Sequence, residues 1–461
     1  MADAGLAGGR QGAEELRPLV ETVLAALAEG ARGRAGPVAA GGPAAVAERV
    51  AHAVPEVLPL AGTGEHEALS TLVHLLAEGA ADPAEALCAA HLHCPPLAVA
   101  AAADLAVSAL NQSMDSWDQA PAASALEARV TAALAALVYP DLPMPDALVT
   151  TGGTESNQLA LLLARERAAG GPRVQVVSGA NAHHSIARAA WLLGLPRPIV
   201  LDTPAGVLDP AAVDTSLDGL PGRPLVVATA GTTDSGALDP LPVIARVAAR
   251  HRAELHVDAA YGGPLLFSGR ESGKLDGLQS AVSVTVDLHK LGWQPVAAGL
   301  LAVPDGTALR PLAHRADYLN AEDDTEAGLP DLLGRSLRTT RRPDVLKIAV
   351  TLRALGREGV SALVDTVCDL AADLADRVER HPALTLHAPP AISTVLFRPT
   401  DATDDEVAAL RRRLLYEGRA VLGRARADGQ LWLKATLLNP QARTDDLDAL
   451  LALTTEGTAA R

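Results

Sequence analysis

The chain has 461 residues, enough for about two or three domains with a large core, and its 49% hydrophobic content excludes a disordered protein. Lys and Arg together number 39 against 55 Asp and Glu, a net charge of −16, which argues against a nucleic-acid groove. Aromatic residues are only 2%, so the core must be Ala, Leu and Val; the three cysteines, Cys88, Cys94 and Cys368, contain no CxxC pair and argue against a disulfide framework or a zinc cluster.

The N-terminus shows no basic segment followed by an apolar run, and the apolar runs at 97–103 and 132–139 are too short to span a bilayer. A soluble cytoplasmic protein without a membrane partner is the expectation. Residues 1–13 are Gly/Ala-rich and expected to be disordered. Residues 14–90 predict helices, with periodic Leu and Val at 19–27 and 68–77 and Gly/Pro-rich breaks at 33–43 and 61–64. Residues 1–100 thus read as a helical arm of the kind that packs on a partner subunit, an indication of a homodimer.

His91-Leu92-His93-Cys94-Pro95-Pro96 interrupts the helical pattern. Two histidines beside a cysteine resemble a metal site, but without further ligands a loop or pocket wall explains them better, and no metal is expected. Residues 111–119, Asn-Gln-Ser-Met-Asp-Ser-Trp-Asp-Gln, form a second polar loop that either lines a pocket or caps the helix beginning near Ala122.

From 146 to 303 short strands alternate with helices, the pattern of a parallel sheet covered on both faces. The strand at 147–150 leads to Thr151-Gly152-Gly153-Thr154-Glu155-Ser156-Asn157 and a helix over 158–169. Glycines at a strand-to-helix turn suit a phosphate, although an ordinary capped turn looks the same. Strands at 174–177, 224–228, 255–257 and 282–286 lead respectively to Asn181-Ala182-His183-His184-Ser185, to Thr229-Ala230-Gly231-Thr232-Thr233, to Asp258 and to Lys290. Five decorated strand ends favour one shared site, because parallel sheets bind ligands at that edge. The irregular stretch 314–340 reads as a lid or binding loop. Beyond it come a helix at 341–355, strands at 392–397 and 431–437 and a helix at 404–416, a smaller α+β region ending in a tail. The expected domains are a helical arm (1–100), a large α/β domain (101–345) and a small α+β domain (346–461).

Lys290, Asp258, a histidine, a phosphate-style turn and a threonine fit pyridoxal 5′-phosphate. That cofactor needs a lysine to carry it as an imine, a carboxylate on its pyridine nitrogen and an anion site. A carboxylate about 4 Å from the ring cation is worth ~4 kcal/mol at an effective dielectric of 20. This raises the ring nitrogen's pKa by about 3 and keeps it protonated at neutral pH. The bland readings are a capping Asp258, a helix-start His183, a turn-bonding Thr229 and a structural His289.

Asn181-Ala182-His183-His184-Ser185, Thr229-Ala230-Gly231-Thr232-Thr233, His256-Val257-Asp258-Ala259-Ala260 and Asp287-Leu288-His289-Lys290 resemble the group II pyridoxal-phosphate-dependent amino-acid decarboxylases. The likeness is nearest to the branch containing L-2,4-diaminobutyrate decarboxylase and the siderophore-type lysine decarboxylases. It is carried there by residues 91–96, 111–121, 316–320, 337–342 and 433–440. The resemblance implies fold type I, as in aspartate aminotransferase: a mostly parallel central sheet with helices on both faces, in a homodimer with active sites near the subunit interface. It implies Lys290 as the imine lysine and Asp258 on the pyridine nitrogen. His183 would stack on one face of the ring and Ala260 pack on the other, with Thr229 beside the ring oxygen or the substrate carboxylate. Gly153, Thr154 and the backbone of Glu155 would hold the phosphate with His289, and His93, Pro95 and Pro96 would wall the substrate pocket.

Two departures stand out. Asp287 occupies a position where several relatives carry Asn or Ser against the phosphate. Residues 320–335 contain no tyrosine to match the proton donor of the animal aromatic decarboxylases, so His183, a water or a partner group is left for that role. The implied substrate is a diamino acid such as 2,4-diaminobutyrate, ornithine or lysine. Asp115, Asp118 and the acidic run at 322–326 are candidate partners for its distal ammonium, and a solvated loop explains that run equally well. A small aliphatic, acidic or aromatic amino acid stays open, as do transamination, oxidative decarboxylation and a catalytically idle binding scaffold.

Overall fold

The computed structural model describes the whole chain except residues 1–4, 169–173, 205, 314–315, 317–318, 320 and 457–461. Most of the 316–320 motif, and part of each terminus, therefore lies outside the described residues. The elements in chain order are α1 (Gly12–Arg34), α2 (Gly42–Ala53), α3 (Glu65–Glu78), β1 (Cys88–Ala89), α4 (Ala98–Leu110), α5 (Pro121–Val138), β2 (Asp146–Thr150), α6 (Gly153–Arg167), β3 (Val176–Gly179), α7 (Ser185–Leu192), β4 (Ile199–Leu201) and α8 (Pro210–Leu217). They continue with β5 (Leu225–Thr229), α9 (Leu241–Arg250), β6 (Glu254–Ala259), β7 (Ser283–Asp287), β8 (Gly299–Val303), α10 (Glu322–Glu326), α11 (Val345–Arg380), β9 (Leu384–Leu386), β10 (Thr394–Pro399), α12 (Asp404–Tyr416), β11 (Val421–Ala427), β12 (Gln430–Thr436) and α13 (Thr444–Thr455).

The chain forms two compact units. The larger comprises Pro96–Asp369 with Pro390–Thr394, and the smaller Met1–Pro95, Leu370–Pro389 and Val395–Arg461. The N-terminal helices thus belong to the same unit as the C-terminal segments, whereas the sequence reading sets 1–100 apart and begins the last domain at 346. A physical reason is visible within the smaller unit. Cys88 and Ala89 of β1 pair in parallel with Val421 and Leu422 of β11, adding the N-terminal segment to that unit's sheet, of order β1-β11-β12-β10-β9. Its core joins Ala89 to Leu374, Val378, Phe397, Leu414, Leu433 and Leu450.

The larger unit is built on a sheet of order β2-β8-β7-β6-β5-β3-β4. β4, β3, β5, β6 and β7 are parallel neighbours, and β8 runs antiparallel between β7 and β2. Every residue of β5, β7 and β8 is buried; β5 and β8 read as nearly continuous apolar runs, whereas β7 alternates Val284 and Val286 with the polar Ser283, Thr285 and Asp287. Leu159, Ala160 and Leu163 of α6 pack on Leu148 of β2 and Leu301 and Val303 of β8. Leu161 and Ala164 pack on Val176, Leu225 and Val227. α6 therefore lies across the sheet with its N-terminus at the strand-end edge.

One described helix, α5, is long and apolar enough to cross a membrane by length and composition. In this fold it buries Leu134, Ala135 and Val138 in the unit, and its Glu127 makes a bidentate ion pair with the buried Arg341 at 2.6 and 2.7 Å.

Candidate active site

The parallel order β7-β6-β5 places three chemistry-bearing strand ends side by side. The register sets Thr229 beside Asp258, and Asp258 beside Thr285, two residues before Asp287. Thr229, Asp258 and Asp287 are therefore strand residues, whereas the sequence reading puts all three just past the strands. Each is almost wholly buried. Lys290 follows on the turn after β7, and its Nζ lies 3.0 Å from Asp287 Oδ2.

Across from β7, the turn after β2 brings in the N-terminus of α6. That helix begins at Gly153, five residues earlier than the expected start at 158, so Gly153, Thr154, Glu155 and Asn157 form its first turns. Gly152 has φ 150, open to glycine alone among common residues, and a Cβ there would stand 2.9 Å from His289 Cε1. A Cβ on Gly153 would meet Ala260 Cβ at 3.0 Å and Asp287 Oδ2 at 3.2 Å. The helix is pinned by Ser156 Oγ, which donates to the Leu300 carbonyl at 3.0 Å. Glu155 caps the turn with its side chain, accepting from the Thr151 N–H at 2.6 Å and pairing with Arg338 at 3.3 Å. Thr154 is exposed on the same turn.

Behind Asp258 lies a buried polar network that the sequence did not reveal. Asp258 Oδ2 accepts from Asn157 Nδ2 at 2.8 Å, and Oδ1 accepts from the Ala260 N–H at 3.1 Å. Asn157 Nδ2 also donates to Ser185 Oγ at 2.9 Å. Asn157 Oδ1 accepts from Thr285 Oγ1 at 2.8 Å and lies 3.0 Å from His256 Nε2. His256 Nδ1 lies 2.9 Å from the Ser283 hydroxyl and 3.0 Å from the Ser283 carbonyl oxygen. Burial lowers the His256 pKa to about 4 against the opposing pull of Asp258, so the ring is neutral at physiological pH. His183 Nδ1 lies 2.8 Å from Ser185 Oγ, and its ring sits 4.1 Å from that of His184, centroid to centroid. Burial lowers the His183 pKa, partly offset by Asp258.

Thr229 is fixed through its backbone: its N–H donates to Asp239 Oδ2 at 2.7 Å, while Asp239 Oδ1 takes the Leu208 N–H and the Asn181 side chain. Burial raises the Asp239 pKa, and these three donors oppose it. The Thr229 hydroxyl is buried and has no hydrogen-bond partner among the described residues. His289 receives the Ala298 N–H on Nδ1 at 3.4 Å and holds Nε2 3.6 Å from Asp287 Oδ2. Burial lowers its pKa, with Asp287 opposing.

The structure thus brings Lys290, His289, Asp258, Ala260, Thr229, Gly153, Thr154, Glu155 and His183 into one unit. Among the pocket-wall candidates, Pro96 opens that unit, whereas His93 and Pro95 close a segment of the other. Asp287 is no bystander: Oδ2 pairs with Lys290, and Oδ1 is buried without a hydrogen-bond partner among the described residues. Asn157 escaped the sequence reading because one amide early in a helix has no pattern of its own. His256 escaped because a lone histidine between Leu255 and Val257 reads as strand core. The available signal was a polar residue at each inward position of the two strands, His256 and Asp258 on β6 and Ser283, Thr285 and Asp287 on β7.

The chemistry of this donor set fits pyridoxal phosphate. A lysine amine, an acceptor-only carboxylate, an orphaned hydroxyl and a glycine-lined helix N-terminus are the groups that hold its aldehyde, ring nitrogen, ring oxygen and phosphate. The fold and these groups define a fold type I pyridoxal-phosphate enzyme. Residues 75–400 match the pyridoxal-dependent decarboxylase conserved domain. The chain is 42% identical over 411 residues to L-2,4-diaminobutyrate decarboxylase of Rhizobium meliloti (strain 1021), covering 86% of this chain and 82% of the relative. It is 31% identical to the enzyme of that name from Acinetobacter baumannii, covering 85% and 83%. A crystal structure from Vibrio parahaemolyticus, the glutamate decarboxylase domain of a diaminobutyrate-pyruvate transaminase and L-2,4-diaminobutyrate decarboxylase, superposes with a TM-score of 0.85 at 31% identity, over 98% and 96% of the two chains. The chain belongs to the pyridoxal-dependent decarboxylase family and is a pyridoxal-phosphate-dependent amino-acid decarboxylase.

Proposed function

We propose that this enzyme removes the α-carboxylate of a short L-diamino acid, 2,4-diaminobutyrate first, to give the diamine and CO2. The observation that carries the reading is the pairing of Lys290 and Asp258 on adjacent strand ends, with Asp258 held by Asn157 and Ala260. The two relatives that share 42% and 31% of its residues support the substrate.

When bound, pyridoxal phosphate supplies an electron-withdrawing ring that accepts the pair left by the Cα–carboxylate bond. The chain's residues do the rest. Lys290 Nζ is the amine that attaches the cofactor, and Asp287 holds that side chain in place at 3.0 Å. Both Asp258 oxygens already accept hydrogen bonds, so the carboxylate would meet the ring nitrogen as an acceptor. The first N–H groups of α6 have no intrahelical acceptor and are open to the phosphate, with His289 beside them. The Thr229 hydroxyl is a free donor for the ring oxygen or the substrate carboxylate. His183 would cover one ring face and Ala260 the other. Of the pocket-wall candidates, Pro96 would line the substrate pocket.

We also propose a cytoplasmic homodimer with active sites near the subunit interface. The free thiols of Cys88, Cys94 and Cys368 suit a reducing compartment. Leu24, Leu27, Leu72 and Leu76 of α1 and α3 are exposed apolar residues that a second subunit would cover. The test of function is a screen of purified, cofactor-loaded enzyme against short diamino acids and common amino acids, with CO2 trapped and the amine identified. Release of 1,3-diaminopropane from 2,4-diaminobutyrate supports the reading; a keto product without CO2 contradicts it.

A further inference from the structure

The geometry points to Asn157 as a positioning residue that, through Ser185, holds the proton of His183 on Nε2, the ring nitrogen outside the buried network. The inference rests on the proposed decarboxylation and names the chain's own proton-bearing group beside the cofactor.

The argument follows from donors and acceptors. The Asn157 side chain has one orientation available, because reversing it would set an amide oxygen 2.8 Å from Asp258 Oδ2. With Nδ2 toward Asp258, its second hydrogen goes to Ser185 Oγ at 2.9 Å. Thr285 donates to Oδ1 and fixes the amide from the other side. A serine hydroxyl that accepts from Asn157 is turned to donate elsewhere, and the ring nitrogen His183 Nδ1 lies 2.8 Å away. The Ser185 backbone N–H points at the same Nδ1 from 3.3 Å, and a backbone N–H can only donate. Nδ1 is therefore an acceptor, and in the neutral ring the hydrogen sits on Nε2. No hydrogen bond to Nε2 is made among the described residues, so this N–H is available to whatever lies beside the ring. Adding a second proton at Nδ1 would break both hydrogen bonds, which keeps His183 neutral together with its burial. The charged and titratable groups facing the ring are Asp258, His184, Lys290 and Asp287.

The test uses full-length protein labelled with 15N-histidine, with and without pyridoxal phosphate, His183 being assigned by its loss in His183→Asn. The expected spectrum is a neutral ring with hydrogen on Nε2 in both states. Ser185→Ala removes one donor to Nδ1, and Asn157→Leu lets the hydroxyl turn away. Each should raise the pH midpoint of His183 and lower kcat about 10–100-fold with KM little changed. Because Asn157 acts through Ser185, the double variant should shift the midpoint no further than either single one. A ring with hydrogen on Nδ1, an Asn157→Leu midpoint equal to wild type, or additive shifts would overturn the inference. If Asn157→Leu does not fold, the wild-type tautomer and the Ser185→Ala midpoint still decide it. Cofactor binding is read separately from visible absorbance: its failure would remove the proposed function and leave the apo-state tautomer result standing on its own.

Discussion

Lys290 and Asp258 are the residues on which the proposed chemistry turns, and both stood out in the sequence because each comes at or just past the C-terminal end of a valine-bearing strand, the edge where parallel sheets bind ligands. Lys290→Ala should abolish turnover and the imine absorbance of the bound cofactor, measured by CO2 release and visible spectroscopy. Asp258→Asn keeps the shape of the side chain and removes its charge. With ~4 kcal/mol at stake between carboxylate and ring cation, kcat should fall about 10³-fold, while Lys290 still attaches the cofactor. Asn157 was not legible, because its role arises from four partners on α7, β6 and β7 that only the fold assembles. Asp287 was legible as an anomaly. The structure replaces the worry about an anion near phosphate with an ion pair to Lys290, an interaction three residues apart that the strand-to-turn geometry creates.

At the scale of elements, the N-terminus of α6 is the tightest part of the site. The sequence showed its glycines but placed the helix start five residues late, because Gly153, Thr154 and Ser156 are weak helix formers. What overrides propensity is anchoring: Ser156 bonds the Leu300 carbonyl and Thr150, and Glu155 caps Thr151. Gly153→Ala would push a methyl to 3.0 Å from Ala260 Cβ and 3.2 Å from Asp287 Oδ2. Crowding of that kind costs about 1–3 kcal/mol, so cofactor affinity should weaken about 5–100-fold in a titration of the apoenzyme. The antiparallel strand β8, the seven-residue β11 and the short strands β1, β4 and β9 went unread. Gly299-Leu300-Leu301-Ala302-Val303 is an unbroken apolar run with no period, and two or three residues are too few to show one.

For the whole molecule, the parallel core of the larger unit was readable from alternating strands and helices, whereas the grouping of the N-terminal helices with the C-terminal segments was not. That grouping depends on a two-residue strand, β1, whose pairing with β11 spans more than 300 positions of sequence. Stability should carry the signature of the buried His256. Its folded-state pKa, about 4, lies below the unfolded value near 6.5, so the unfolded chain binds the proton more tightly. The contribution is fully present above pH 6.5 and is lost as pH falls toward 4, about 3 kcal/mol over that window. Chemical denaturation at pH 7.0 and 4.5 should show this loss, and His256→Gln should flatten it.

The most direct measurement is the product balance of the cofactor-loaded enzyme on L-2,4-diaminobutyrate, run beside Lys290→Ala. Equimolar CO2 and 1,3-diaminopropane from the wild type, and neither from the variant, is the predicted result. A keto acid without CO2, or turnover that survives Lys290→Ala, would contradict it.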